Sequence, residues 1–183
     1  KKLLLLGAGP MAMDYAKVLK YLDVDFTVIG RSIEGTKKFY NQVGVTAIPH
    51  GLSNWKQKSP SRAKCGIIAV SCDALASTAI ALMDEGVRKI LLEKPAGLTA
   101  KQIKKVCVHA TKTESKVYIA YNRRFYASVR EAQKLIKEDG GVQSFNFEFT
   151  EWCDQIEKKL KDSITGENWF LANSSHVLDL AFF

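Results

Sequence analysis

The stretch "LLLLGAGPMA", residues 3 to 12, limits the chain more than any other. Four consecutive apolar residues run directly into Gly7, Gly9 and Ala12, a G-x-G-x-x-A arrangement at the opening of a helical pattern. A short continuous apolar run is what a strand covered on both faces requires. Gly7 permits the tight turn, Gly9 lets the backbone come close to a pyrophosphate, and Ala12 allows close helix packing. The helix N-terminus around Pro10 and Met11 then offers unpaired N–H groups to phosphate oxygens. The plain alternative is a bare structural turn. A run of only four apolar residues is also too short for a signal segment, so "KKLLLLGAG" reads as a first strand.

The same alternation continues to about residue 120. Apolar runs at "DFTVIG" (25–30), "CGIIAVS" (65–71), "RKILLE" (88–93) and "KVYIAY" (116–121) are separated by helical patterns. One helix places Met11, Tyr15, Val18, Leu19 and Leu22 on a common face, and another Leu75, Ala79, Leu82 and Met83. Thr99 and Gln102 form a capping box ahead of Ile103, Val106 and Ala110. Alternating strands and helices predict an α/β fold, a Rossmann-like doubly wound parallel sheet over residues 1–120. After residue 120 the pattern changes. "ASVREAQKLIKEDGG" reads as an exposed helix closed by glycines, and "SFNFEFTEW" alternates strictly, with Phe145, Phe147 and Phe149 on one face. That predicts a half-buried antiparallel strand in a second domain, 121–183, expected to be an incomplete α/β (α+β) domain with an open, mainly antiparallel sheet. "SSHVLDLAFF" stops inside an apolar helical pattern without a cap, from which a fragment is expected.

Composition excludes several classes. No run of eighteen uncharged apolar residues exists, so no membrane span is written here. Cys65, Cys72, Cys107 and Cys153 lack paired C-x-x-C spacing, which predicts reduced thiols in a cytoplasmic protein and no metal. The net charge of +8 is spread along the chain. Solvated helix faces and an anionic small ligand account for it, and no aromatic-basic stripe or helix-turn-helix supports nucleic-acid binding.

The second strand should carry the residue that chooses the dinucleotide. An NAD-binding chain usually presents Asp or Glu there to the ribose 2′-hydroxyl; here the tip reads Gly30, Arg31, Ser32. An arginine fork beside a serine hydroxyl suits a 2′-phosphate, so NADP is expected in preference to NAD. The other reading of Arg31 is a solvated loop residue. Further on, Glu93, Lys94 and Pro95 follow "RKILL" at a strand end, the edge from which ligand crevices are built. Lys94 could donate to a substrate oxygen during proton transfer; taken alone it would read as an exposed strand-end lysine.

In order, "GAGPMA", "EKPAGLT", "YNRRF" at 121–125 and "SHVLDL" at 175–180 resemble the Gfo/Idh/MocA oxidoreductases, the glucose-fructose oxidoreductase and inositol dehydrogenase type. The resemblance runs over the whole chain and implies a nicotinamide-dependent dehydrogenase acting on CH-OH groups of a sugar, sugar derivative or cyclic polyol. It implies a homo-oligomer assembled through the C-terminal sheet, and neither nucleic-acid nor membrane partners. It implies that Lys94 and His176 are catalytic and that Pro95 follows a cis bond. It further implies that Ser71, Glu93 and Lys94 join Gly7, Gly9, Pro10, Met11, Ala12, Arg31 and Ser32 at the cofactor, and that Tyr121, Asn122, Arg123 and Asp179 serve the substrate in a cleft between domains.

Physically, His176 reads as a first-turn helix residue after Asn173, Ser174 and Ser175 as candidate caps. The dipole there would keep the ring neutral, and Asp179 three residues on would orient it. His50 and His109 read as ordinary loop and helix residues, and Trp152 and Trp169 as core or interface. Two departures from the family pattern stand out: Ala172 replaces an aspartate four residues before the histidine, and "SCDALA" at 71–76 lacks the proline and histidine of the usual turn. They motivate an alternative, a catalytically silent NADP-binding sensor.

Overall fold

The structure is a computed structural model and describes residues 3–58, 63–160 and 164–183. The chain divides into two compact units, the first ending at Ile119 and the second starting at Ala120.

The first unit holds strands β1 (Leu3–Leu6), β2 (Phe26–Ile29), β3 (Ala47–Ile48), β4 (Cys65–Ile68), β5 (Lys89–Leu92) and β6 (Lys116–Ile119) in one sheet of order β3-β2-β1-β4-β5-β6. Every neighbouring pair is parallel, with Leu3 to Leu6 of β1 in register with Phe26 to Ile29 on one side and Cys65 to Ile68 on the other. Helices α1 (Pro10–Tyr21), α2 (Ile33–Val43), α3 (Gly51–Lys58), α4 (Leu75–Asp84) and α5 (Ala100–Lys112) connect them. The continuous apolar strands are explained by double coverage: Leu4 and Leu6 enter one core cluster and Leu5 the other, all at most 3% exposed. Each such leucine contributes roughly 1.5–3 kcal/mol.

Several expectations change in detail. Strand β3 has only two residues and no apolar run to announce it. The buried face of α1 is Ala12, Met13, Ala16 and Leu19, whereas Met11, Val18 and Leu22 are exposed. Ala12 and Ala16 let this helix lie close to the sheet, with Met13 and Leu19 completing the buried face; of the expected face only Leu19 is buried. Thr99 caps α5 by accepting from the Gln102 amide at 3.2 Å, but the Gln102 side chain accepts from the Leu98 amide at 2.7 Å, one residue before the position a capping box uses.

The second unit contains a 3₁₀ turn at Asn122–Phe125, then α6 (Ala127–Glu138), α7 (Cys153–Leu160), α8 (Ile164–Glu167) and α9 (Ser175–Phe182). The antiparallel strand expected at 144–150 pairs with nothing among the described residues. Phe145, Phe147 and Phe149 are 56%, 43% and 41% exposed. Alternation marks a segment able to form one face of a sheet; without a second strand to complete the ladder it stays unpaired among the described residues. Phe145 instead stacks on Phe147 and meets Phe182 edge-on. No helix among the described residues is long and apolar enough to cross a membrane.

Candidate functional site

In a doubly wound sheet the order of connections reverses between β1 and β4, and the crevice beyond their carboxyl ends is where ligands bind. A cleft of about 420 Å³ opens there, lined by Gly7, Gly9, Arg31, Ser32 and Ser71, with Gly51 and Thr78 on its walls. Five expected cofactor residues therefore converge from β1, β2 and β4 onto one surface. Pro10, Met11 and Ala12 begin the adjoining helix: Pro10 occupies its first turn, Met11 is exposed, and Ala12 is fully buried as a packing residue.

The two glycines have different reasons to be glycine. Gly7 has φ +126°, and a Cβ there would stand 2.1 Å from the Ala69 carbonyl oxygen, so the fold itself demands the residue. Gly9 has φ −87°, open to any residue, and a Cβ would meet nothing within 4 Å. No packing inside the protein calls for its missing side chain. It leaves bare backbone at the mouth of α1, whose first turn has no side-chain cap. That surface fits a pyrophosphate.

Arg31 and Ser32 stand at the tip of β2. The Ser32 Oγ accepts from the Gly35 amide at 3.1 Å and so caps α2, leaving its hydroxyl hydrogen for donation. No carboxylate lines the cleft among the described residues. Gly30 brings the tip close to α2, since a Cβ would lie 2.5 Å from the Thr36 methyl.

At the end of β5 the Glu93 amide donates to the Ile68 carbonyl at 3.0 Å and the Ala96 amide to the Glu93 carbonyl at 3.0 Å, closing a turn around Lys94 and Pro95. The Lys94–Pro95 peptide is cis, as the family resemblance implied. Lys94 is partly buried, and its charge is felt by Cys72. Burial pushes that thiol up, Lys94 draws it back, and Asp73 and Glu93 push it up again. The Glu93 carboxylate accepts a 2.6 Å hydrogen bond from the Tyr15 hydroxyl, a contact across 78 residues that no local pattern in the sequence announces. Tyr15 is one of several residues at helical spacing, and nothing in its own neighbourhood distinguishes it.

In the second unit the expectation for His176 is corrected. Asn173, Ser174 and Ser175 cap nothing, because a five-residue π turn, Phe170–Ser174, runs straight into α9. Ser174 is helical, with φ −70° and ψ −18°, so His176 sits inside a continuous helical path rather than at a free N-terminus, and the dipole argument for a neutral ring lapses. Asp179 has a partner of its own. Its carboxylate is taken by Arg124, whose Nε donates at 2.7 Å while Nη2 forms a second short bond. That pairing holds the Arg124 proton more firmly than usual. The His176 ring packs edge-on against Tyr121, centroids 5.7 Å apart. Among the "YNRRF" residues, then, Tyr121 reaches the histidine and Arg124, not Arg123, reaches Asp179. The π turn is held from outside by Glu151, which accepts from Trp169 Nε1 and Asn173 Nδ2. Trp152 is 73% exposed rather than core, and His109 pairs with Asp84 at 2.7 Å.

No protein-family model matches the chain, and no curated protein sequence matches it. Solved structures do match its fold. The WlbA dehydrogenase from Bordetella pertussis, in complex with NADH and UDP-GlcNAcA, superposes with a TM-score of 0.79 at 15% identity over 98% of this chain and 57% of that one. A probable dehydrogenase from Thermotoga maritima does so with TM-score 0.70 at 17% identity, over 99% of this chain and 54% of that one. The UDP-N-acetylglucosamine 3-dehydrogenase GnnA from Acidithiobacillus ferrooxidans gives 0.62 at 15%, over 73% and 42%. The chain thus spans about half the length of the structures it resembles, and shares their fold.

Proposed function

We propose that this chain is part of a nicotinamide-dependent dehydrogenase of the Gfo/Idh/MocA type. It would move a hydride between the nicotinamide and a secondary alcohol or ketone of a sugar, sugar derivative or cyclic polyol. The observation that carries the proposal is the cleft at the β1–β4 reversal, where Gly7, Gly9, Arg31, Ser32 and Ser71 meet. The motif order and the fold shared with solved dehydrogenases support the same reading. The complex of WlbA with UDP-GlcNAcA supports a sugar-type substrate.

The dinucleotide supplies the hydride acceptor or donor when bound. The chain's own residues would do the rest. Gly9 and the first turn of α1 would receive the pyrophosphate, and Ser71 and Glu93 would border the cofactor. Lys94 would hydrogen-bond the substrate oxygen that gains or loses a proton. His176 is proposed as a second proton-transfer group, and Tyr121, Asn122, Arg123 and Asp179 as residues serving the substrate, Asp179 acting through Arg124. With its four cysteines free, the protein would work in a reducing, cytoplasmic compartment.

Arg31 and Ser32 support NADP over NAD, although the WlbA structure contains NADH. NADPH should then bind at least about tenfold more tightly than NADH, a gap of about 1.4 kcal/mol. Arg31→Ala should erase most of that gap and leave NADH affinity nearly unchanged. Fluorescence titration of both cofactors checks this; equal affinities in the parent would remove the 2′-phosphate site.

Ala172 and the histidine-free 71–76 turn favour a second reading, an NADP-binding sensor without turnover. Tight NADPH binding with no oxidation across a panel of keto-sugars would select it. Self-association through the three-phenylalanine segment at 145–149 is also proposed. Sedimentation should show a dimer or larger, and a monomer at micromolar concentration would exclude it.

A further inference from the structure

Tyr15 lies on α1, five residues beyond Pro10 and so about 7.5 Å along the helix from the glycine loop. Its hydroxyl donates to Glu93 Oε1 at 2.6 Å, and Glu93 immediately precedes Lys94. The Lys94–Pro95 turn is also anchored through backbone bonds, Glu93 N–H to Ile68 and Ala96 N–H to the Glu93 carbonyl. Ala96 sits in the turn at φ +71°, in the left-handed region that a residue with a Cβ adopts only under constraint from its surroundings.

We propose that Tyr15 is a positioning residue that clamps the Glu93 carboxylate, and through it the Lys94 turn, to the helix that opens at the glycine loop. The inference rests on the dehydrogenase reading for its purpose but not for its geometry. A hydroxyl donating to a carboxylate makes one of the stronger hydrogen bonds available to a side chain, and its reach across the sheet edge closes a mechanical circuit. The circuit runs from Gly9 along α1 to Tyr15, across to Glu93, and into Lys94. A group held on α1 and a proton-transfer lysine on β5 thereby share one rigid frame, and catalysis depends on such placement to within fractions of an ångström. Burial and the neighbouring carboxylate both push the Tyr15 phenol far above its ordinary range, so it remains a donor at any working pH. The tie also keeps the Glu93 charge at a set place beside Cys72, whose thiol feels it.

The test is Tyr15→Phe, which removes one oxygen and keeps the ring. Hydrogen exchange of the Glu93 and Ala96 amides should quicken about tenfold while the amides of β1 and β4 stay as protected as in the parent. Turnover should fall about tenfold with the dinucleotide Kd changed less than about twofold, a split that lost packing alone would not give. Unchanged exchange at Glu93 and Ala96, or a uniform quickening across the sheet, overturns the proposal. If the parent turns over no substrate yet exchange quickens only in the 93–96 turn, the clamp stands and the dehydrogenase reading falls. Glu93→Gln supplies the second variant: it keeps an acceptor for Tyr15 and removes the charge. Its exchange at Ala96 should lie between parent and Tyr15→Phe, and exchange faster than in Tyr15→Phe would show that the charge, not the tie, holds the turn.

Discussion

Replacing Gly7 by alanine is expected to cost about 4 kcal/mol of stability or more and to lower the melting temperature by roughly 10 °C. Two separate penalties combine. The backbone there has φ +126°, a region side chains with a Cβ avoid, and the new methyl would lie 2.1 Å from the Ala69 carbonyl oxygen. That oxygen belongs to backbone just past β4, whose Ala69 amide is bonded to Leu6 at 2.8 Å, so it cannot rotate aside. Gly9→Ala should behave in the opposite way. With φ −87° and no atom within 4 Å of the new Cβ, stability should stay within about 1 kcal/mol of the parent. Dinucleotide affinity should nevertheless fall at least about tenfold, because the methyl occupies the backbone surface a pyrophosphate approaches. Thermal denaturation and cofactor titration on the two variants separate fold from site. A Gly7→Ala protein with the parental melting temperature would refute the turn assignment, and undiminished binding in Gly9→Ala would refute the phosphate assignment.

Lys94→Ala is expected to reduce turnover roughly a hundredfold or more, about 2.7 kcal/mol of lost transition-state stabilisation, while the cofactor Kd changes less than about threefold. The reason is the position of the ammonium. It stands at the carboxyl end of β5, on a turn closed by backbone bonds and tied to α1 by Glu93 and Tyr15. On the dehydrogenase proposal it would stabilise charge on a substrate oxygen that changes protonation as the hydride moves, which binding of the dinucleotide would not require. Steady-state kinetics with the best sugar-type substrate, together with NADPH titration, gives both quantities. Near-parental turnover would reduce the E-K-P triplet to a structural corner.

What could be read along the chain was whatever depends on short-range pattern. The runs of apolar residues placed β1, β2, β4, β5 and β6; coverage on both faces accounts for the run at β1, whereas β6 at the sheet edge alternates between exposed and half-buried residues. Strand β3 escaped because two residues make no pattern. The helix faces were less legible. Leu75, Ala79, Leu82 and Met83 are all fully buried as expected, yet on α1 only Leu19 of the expected face is buried, joined there by Ala12, Met13 and Ala16. Hydrophobic size identifies a stripe, whereas the distance between helix and sheet decides which stripe fits. The alternation at 144–150 was real, but a ladder needs two strands, and alternation specifies only one.

Sequence alone determined five of the six strands and the glycine turn that follows the first, because each follows from local conformational freedom and the two backbone periods. Only the tertiary structure decided which residues meet. Gly9 is exempt from any packing demand while Gly7 is bound by one, a distinction invisible in the motif they share. Asp179 pairs with Arg124, 55 positions away, and a π turn carries helical backbone through the residues expected to cap His176. Tyr15 found Glu93 across 78 positions. Hydrogen-bond partners distant along the chain are chosen by the path of the folded backbone, and no local rule of spacing contains that path.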